Sequence, residues 1–359
     1  MAVTNVDIVC GLAWGDEAKG KIVSELLKKN NYQWVARWCG GSNAGHTIYV
    51  DSEKYVTHIV PAGIFHDINC YIGPDCYINL EDFDTEMTYL QDNGFDITRV
   101  FVSERAHVIT SESVAEDRAK YKEQQGSTGK GIAPTARDKF ARTGITLKRY
   151  IKENPDDPLV VKYRENIFSL PEISPLYGNV LCEGAQGFWL DINMGNYPYV
   201  TSANTLPYSA CSLGFSPKRI RQIWGAAKIY DTRVGVDPSF MTEHPPSPED
   251  AQILLNIADV GEEFGSTTNR KRGVNWLNLD KLIEAVNVSG TTNLVISKTD
   301  ILQKGEINTY KFIYSQKLME YESLEKMTET INSFLTLLCP DLTDIIYSNS
   351  PKNVIFPQV

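Results

Sequence analysis

Short apolar runs alternate with helically spaced apolar residues along most of this chain. Val6-Asp-Ile-Val-Cys10 is a nearly continuous apolar run and predicts a buried strand. Beyond it, Ile22, Val23, Leu26 and Leu27 fall at helical spacing. Further strands are predicted at Tyr32–Trp38, Ile48–Val50, Cys70–Gly73, Val100–Val102, Asn179–Cys182, Gln222–Ala227 and Asn293–Ser297. Helical periodicity is visible near 80–93, 112–124, 248–258, 278–287 and 320–337. Strands alternating with helices imply an α/β fold with a mostly parallel central sheet and helices on both faces. The Pro- and Asp-bearing segments 153–158 and 244–250 read as surface loops, and no repeat interrupts the pattern. Residues 1–359 therefore read as a single large domain.

Composition narrows the function class. With 42% hydrophobic and 22% charged residues, the chain is typical of a soluble enzyme. A net charge of −10 argues against a surface that coats nucleic acid. Neither an apolar membrane span nor a basic-then-apolar leader is visible, so no membrane role is expected. Seven cysteines at irregular spacing, without a CxxC pair, read as reduced thiols and a cytoplasmic protein. Five histidines form no HxH or HxxxH set, which argues against structural zinc.

Glycine-bearing turns carry the candidate chemistry. Between the first strand and helix, Gly15-x-x-x-x-Gly20-Lys21 fits a phosphate cradle, a turn whose backbone N–H groups favour an anion. The architecture is thus expected to be P-loop-NTPase-like. Ile22 stands where a Ser or Thr usually meets Mg²⁺, so a metal must find ligands elsewhere; Asp16 and Glu17 lie inside the loop. Similar turns follow at Cys39–Thr47, Gly126–Pro134 and Glu183–Gly187. The loop Asn196–Thr205 presents several polar groups, and Gly265–Gly273 sets two arginines beside paired threonines, suited to a carboxylate. Ser297-Lys-Thr-Asp300 has the K-x-D form, in which an Asp can accept from a guanine edge. Together these turns offer sites for phosphates, a base, a carboxylate and a metal, the equipment of a nucleotide-dependent ligase.

In this order the motifs resemble the adenylosuccinate synthetase family. WGDEAKGK at 14–21 resembles that family's WGDEGKGK, and GGSNAGHT at 40–47 its GGNNAGHT. GSTGKGIAP and DKFARTG resemble GTTGRGIGP and DKVARRG. EGAQG, YPYVTSANT, STTNRKRGVNWLNLD and SKTDIL follow in the family's sequence, and the likeness spans residues 8–302. The resemblance implies a purine nucleotide:L-aspartate ligase that forms a C–N bond in two steps. The 6-oxygen of IMP is phosphorylated by GTP, and the amino group of L-aspartate then displaces phosphate.

Roles follow residue by residue from that resemblance. Asp16 matches the base that removes the N1 proton, and with the Gly45 carbonyl it matches a Mg²⁺ ligand. His46 matches the acid that stabilises charge on the transferring phosphoryl group, and Lys19 neutralises the γ-phosphoryl. Gly15, Glu17, Ala18, Lys19, Gly20 and Lys21 match the triphosphate cradle, while Lys298, Asp300, Ser348 and Ser350 match the surroundings of the donor's base. Asn43, Thr128, Gln186 and Thr201 match the site of the substrate nucleotide's phosphate. Val234 matches a ribose contact, and Arg142 an arginine that reaches the phosphate from a neighbouring subunit, implying a homodimer. Thr267, Thr268, Arg270 and Arg272 match the clamp on aspartate's carboxylates, with Arg270 also reaching the nucleotide.

Departures from the family keep a second substrate open. Ala18 replaces a glycine, Ser42 an asparagine, Asn269 a glycine and Gly273 an arginine, and Asp237 stands where the family has glycine beside the ribose. The terminal Ser348-Asn-Ser-Pro351 stands in for STGP. Phage-type members use dGMP with ATP or dATP and often replace the catalytic Asp by Ser. Here the retained Asp16 favours IMP; the short chain, Ser42, Asp237 and the terminal loop favour dGMP. A third reading, a nucleotide-binding switch without ligase activity, leaves the arginine pair and His46 without a task. His58, His66, His107 and His244 read as structural, as do the aromatic pairs Tyr197/Tyr199 and Phe188/Trp189.

Overall fold

The computed structural model describes residues 2–51, 53–122, 126–168, 174–265, 270–305, 307–352 and 354–356. Nine strands form the central sheet: β1 (Val3–Gly11), β2 (Trp34–Arg37), β3 (Asn69–Ile72), β4 (Val100–Ser103), β5 (Ile167–Phe168), β6 (Gly178–Glu183), β7 (Ile220–Lys228), β8 (Asn293–Ser297) and β9 (Asp344–Ser348). They lie in the order β9-β8-β7-β1-β6-β2-β3-β4-β5. Every neighbouring pair is parallel. The α/β expectation is met.

A parallel sheet is covered on both faces, which explains the near-continuous apolar runs. Period-2 geometry still sorts the side chains. Val9 and Val35 join one core cluster, whereas Val6, Ile8, Trp34 and Ala36 join another. Asp7, the polar interruption in β1, is buried and matched: it accepts from Tyr32 Oη at 2.6 Å and Arg221 Nε at 3.1 Å. A buried charge is tolerated on those terms.

Helix boundaries follow capping chemistry. Asn79, Ser247, Asn278 and Ser323 each accept a backbone N–H in the first turn of the helices Leu80–Asp92, Pro248–Val260, Leu279–Ser289 and Leu324–Leu338. The helix expected near 320–337 therefore starts after Ser323, and Lys317–Tyr321 is a strand. It belongs to a second sheet, Tyr230–Arg233, Gly273–Asn278, Tyr310–Tyr314 and Lys317–Tyr321, that the sequence pattern did not reveal. Of the helix expected near 112–124, Ser111–Glu116 is α-helical and Asp117–Tyr121 widens to a π-turn, while residues 123–125 lie outside the described residues. Ile48–Val50 lies in a hairpin, His46–Val50 with Glu53–Thr57, outside the central sheet.

β1 lies between β6 and β7, and the chain leaves it toward β2 on the β6 side. Such a switch point opens a crevice at the carboxyl ends of the strands. The turns after β1, β2, β6 and β8 meet there. One wall is the His46 hairpin. Its foot is anchored by Glu86, whose buried carboxylate accepts from the N–H groups of His58 at 2.8 Å, Ile59 at 3.0 Å and Val60 at 3.1 Å. His58 Nδ1 in turn donates to the Ala44 carbonyl at 2.7 Å.

Replacing Glu86 by Ala strands three backbone donors, so Glu86→Ala is expected to lose about 3 kcal/mol of stability. Urea denaturation measures this, and an unchanged midpoint would show that the anchor is dispensable.

Candidate active site

The turn joining β1 to helix α1 (Lys19–Lys29) is built from left-handed residues: Gly15 at φ 90°, Asp16 at 62° and Ala18 at 67°. This path sends the two acidic side chains opposite ways. Glu17 points inward with no exposure and accepts from the N–H of Ala13 at 3.2 Å and Gly15 at 2.7 Å and from Lys19 Nζ at 2.6 Å. A Cβ at Gly187 would come 2.6 Å from that carboxylate, and one at Gly11 closer still. The Glu17 side chain therefore turns away from the cleft, its oxygens spent on the turn's own N–H groups and the Lys19 ammonium. Asp16 points outward into the cleft.

The cleft encloses about 1030 Å³, room for more than one small ligand. Gly15, Asp16, Ala18, Lys19, Gly20 and Lys21 form its floor. Asn43, Gly45 and His46 come from the turn after β2, and Thr128 from the loop at Gly126. Gln186, Thr201 and Val234 form a further wall. Arg270 and Arg272 stand over Asp16's side, and Lys298, Asp300 and Ser350 close the far end.

Ser348, Arg142 and Asp237 lie outside the lining of this cleft. Ser348 is buried behind the cleft and accepts from Lys21 Nζ at 2.8 Å. Arg142 is exposed at the C-cap of the helix Ile132–Ala141, away from its own chain's cleft. Thr267 and Thr268 fall outside the described residues. Asp237, expected beside the ribose, caps the helix Pro238–Thr242 instead. It accepts from Ser239 N at 3.0 Å and Asn196 Nδ2 at 2.8 Å and faces Arg233 Nε at 3.6 Å. Those partners hold it in a small neighbouring cavity.

Two carboxylates that the sequence reading passed over hold the charged and titratable groups around the cleft. Glu183, at the end of β6, bonds His46 Nδ1 and accepts from Ala62 N at 2.7 Å. Burial opposes its charge, yet His46, Arg37 and the Ala62 N–H outweigh burial and hold it below the usual carboxylate range. Burial also lowers the His46 pKa, with Glu183 opposing. An ionised carboxylate only accepts, so Nδ1 carries the proton and Nε2 is the atom left for a ligand. Glu263, beyond the helix Pro248–Val260, gathers Lys228, Tyr230, Arg272 and Lys298. Its only sequence signal was an acidic residue just before the arginine loop. Arg272 also reaches Asp16, Nη2 to Oδ2 at 2.7 Å.

Lys21 is held by Ser348 Oγ and by the Ser350 carbonyl at 2.9 Å. Burial brings its pKa down to about 8, with Asp300 and Glu25 opposing and Lys298 assisting. Asp300 pairs with Lys304 at the cleft's mouth. Among the described residues no group of three or more His, Cys, Asp or Glu side chains could hold a metal. The cleft does bring the Asp16 carboxylate and the Gly45 carbonyl into one space, two hard oxygen donors of the kind Mg²⁺ takes beside phosphate oxygens and water.

The sequence matches a family model described as adenylosuccinate synthetase over residues 8–168 and 175–333. Among curated proteins, the adenylosuccinate synthetase of Flavobacterium psychrophilum is 36% identical, covering 91% of this chain and 86% of its own. That of Thermodesulfovibrio yellowstonii is 38% identical, covering 82% and 77%. Among solved structures, the fully ligated adenylosuccinate synthetase from Plasmodium falciparum superposes with a TM-score of 0.81 at 23% identity, over 99% of this chain and 100% of that one. A cyanophage S-2L succinoaminodeoxyadenylate synthetase bound to dGMP and dATP superposes with 0.71 at 19%, over 98% and 94%. Both superpositions concern the fold.

Burial brings Lys21 down to about 8, so triphosphate affinity is expected to depend on pH. An ammonium favours an anion and the neutral amine does not, so affinity is expected to fall as pH rises through 8, approaching about tenfold per unit above it. Calorimetric titration with GTP from about pH 7.5 to about 9.5 measures the limb. Lys21→Arg, charged throughout, is expected to flatten it; an identical limb in that variant would assign the titration elsewhere.

Proposed function

The chain belongs to the adenylosuccinate synthetase family, and we propose that it joins IMP to L-aspartate with GTP as phosphoryl donor. The product is adenylosuccinate, with GDP and phosphate released. The observation that carries this reading is Asp16. Its carboxylate is turned into the cleft at the phosphate turn and held by an arginine of the loop that would bind aspartate.

In this reading Asp16 takes the N1 proton of IMP, and the electron pair moves to the 6-oxygen, which attacks the γ-phosphorus of GTP. Lys19 lies buried in the turn and offsets charge on the moving phosphoryl group. Glu183 would stabilise positive charge on His46, so that an imidazolium protonated from solvent before the transfer donates from Nε2 to the same oxygens. The α-amino group of aspartate then attacks C6, the C–O bond breaks, and phosphate leaves. Arg270 and Arg272 would hold aspartate's carboxylates, with Thr267 and Thr268 beside them. Asn43, Thr128, Gln186, Thr201 and Val234 would hold IMP. Lys298, Asp300 and Ser350 would meet guanine, and Lys21 the phosphates. Mg²⁺ on Asp16 and the Gly45 carbonyl would supply charge neutralisation at the β- and γ-phosphates.

The chain is read as one domain over 1–359. It is read as a homodimer in which Arg142 completes the partner's nucleotide site; the exposure of Arg142 outside its own cleft supports this. A cytoplasmic location fits a chain in which no described helix is long and apolar enough to cross a membrane.

Phosphate release with Mg²⁺ and L-aspartate, crossing IMP, GMP and dGMP with GTP, ATP and dATP, tests the reading. Turnover is expected with IMP and GTP, and Asp16→Asn is expected to lower kcat about 10²- to 10⁴-fold. Turnover with dGMP and an adenine donor alone would move the enzyme to the second substrate. No aspartate-dependent release in any combination would overturn both.

A further inference from the structure

Glu263 joins the donor-base end of the cleft to its reacting end. Its side chain has no exposure. Oε1 accepts from Tyr230 Oη at 2.7 Å and faces Lys298 Nζ at 3.3 Å. Oε2 accepts from Lys228 Nζ at 2.9 Å and from Arg272 Nη1. The main chain is fixed as well: Glu263 N–H donates to Ala258 O at 2.9 Å, and Arg272 N–H donates to Glu263 O at 3.0 Å. One residue thus sets both the backbone and the guanidinium of Arg272 where the arginine loop returns to the sheet.

Arg272 is shared. Nη1 lies on Glu263, while Nε and Nη2 lie on Asp16 Oδ2 at 3.0 and 2.7 Å. Lys228, Lys298 and Arg272 carry three positive charges, against which stand the carboxylates of Glu263 and Asp16. Lys228 is 4% exposed, and burial brings its pKa down to about 8 even with Glu263 beside it. Without the Glu263 charge, Asp16 is the one carboxylate that these interactions leave to Arg272. The guanidinium would then settle on Asp16 and withdraw from an incoming carboxylate.

We propose that Glu263 is a positioning residue of the ligase reaction, holding Arg272 in register for the substrate's carboxylate, limiting its grip on Asp16, and tying it to Lys298 at the nucleobase end. The proposal rests on the ligase reading, and wild-type turnover with IMP, GTP and L-aspartate tests that reading separately. Glu263→Gln keeps the side chain's volume and removes its charge. Its KM for L-aspartate is expected to rise about tenfold or more and kcat to fall similarly, from the loss of a charge-assisted contact. KM for IMP should stay within about twofold, and Glu263→Asp should recover part of both losses.

Because Glu263→Gln leaves Lys228 buried without its carboxylate, Glu263→Gln/Lys228→Met is measured beside it. The double variant should regain melting temperature while KM for aspartate stays raised. Two results would overturn the proposal. One is an unchanged KM for aspartate in Glu263→Gln. The other is return of that KM to the wild-type value in the double variant, which would make Glu263 a purely structural counter-ion.

Discussion

Glu17 accepts two backbone N–H groups and the Lys19 ammonium while fully buried, and the turn between β1 and α1 closes around it. Such a carboxylate cannot be moved without leaving buried donors unpaired. The constraint reaches outward from there. With Glu17 fixed inward, its neighbour Asp16 must face the cleft, and Lys19 starts the helix with its charge already directed. Gly11 and Gly187 stay free of side chains because a Cβ at either would intrude on Glu17, so the turn after β6 is packed against the same carboxylate. Gln186, at φ 54° in that turn, is carried to the cleft wall as a consequence.

Three cations of the site and one histidine are already held by the protein's own carboxylates. Lys19 lies on Glu17, Arg272 on Asp16 and Glu263, Lys298 on Glu263, and His46 on Glu183. A cleft that gathers this much positive charge for anionic ligands has to be stable before they arrive, and unpaired buried charges are costly. The carboxylates meet that need in two ways. Glu17, Glu183 and Glu263 are fully buried and hold their partners from behind. Asp16 alone among them is open to the cleft.

Local pattern revealed what local chemistry determines. The runs at Val6–Cys10 and Asn293–Ser297 and the spacing of Ile22, Val23, Leu26 and Leu27 are decided by neighbours in sequence, and those elements form as read. The edge strand β9 and the second sheet were not legible. Tyr310–Tyr314 and Lys317–Tyr321 carry too much polar surface to stand out, and they become strands by pairing with one another and with Gly273–Asn278. The same limit governs the site. His46 was legible as chemistry, but its partner Glu183 lies 137 residues away. Glu263 sits 35 or fewer residues from each group it holds, yet its four partners come from a strand end, a turn and a loop, which no periodicity connects. The Asp16–Glu17 pair looked like one acidic feature because sequence carries no sign of the left-handed backbone that parts them.

Departures from a family pattern have to be weighed by what each side chain does in its own fold. Ser42 replaces an asparagine in the second glycine turn, and its hydroxyl donates to Asp82 Oδ2 at 2.5 Å. Lys130 reaches the same Asp82 carboxylate, its Nζ 3.1 Å from Oδ2, so Ser42 takes part in joining two phosphate-site loops. Asp237 is taken up by capping a short helix and by Asn196. Ser348 and Ser350 fix Lys21 through a hydroxyl and a carbonyl. Each of these residues has a structural task in this chain, so none needs a purine 2-amino group to account for it. Asp16 differs from them: its ion pair with Arg272 neither caps a helix nor closes a turn, and its side chain remains open to the cleft. The balance of the departures therefore shifts toward the 6-oxopurine without a 2-amino group, because Ser42, Asp237 and the terminal loop are absorbed by the fold while the carboxylate that argued against the larger substrate is not.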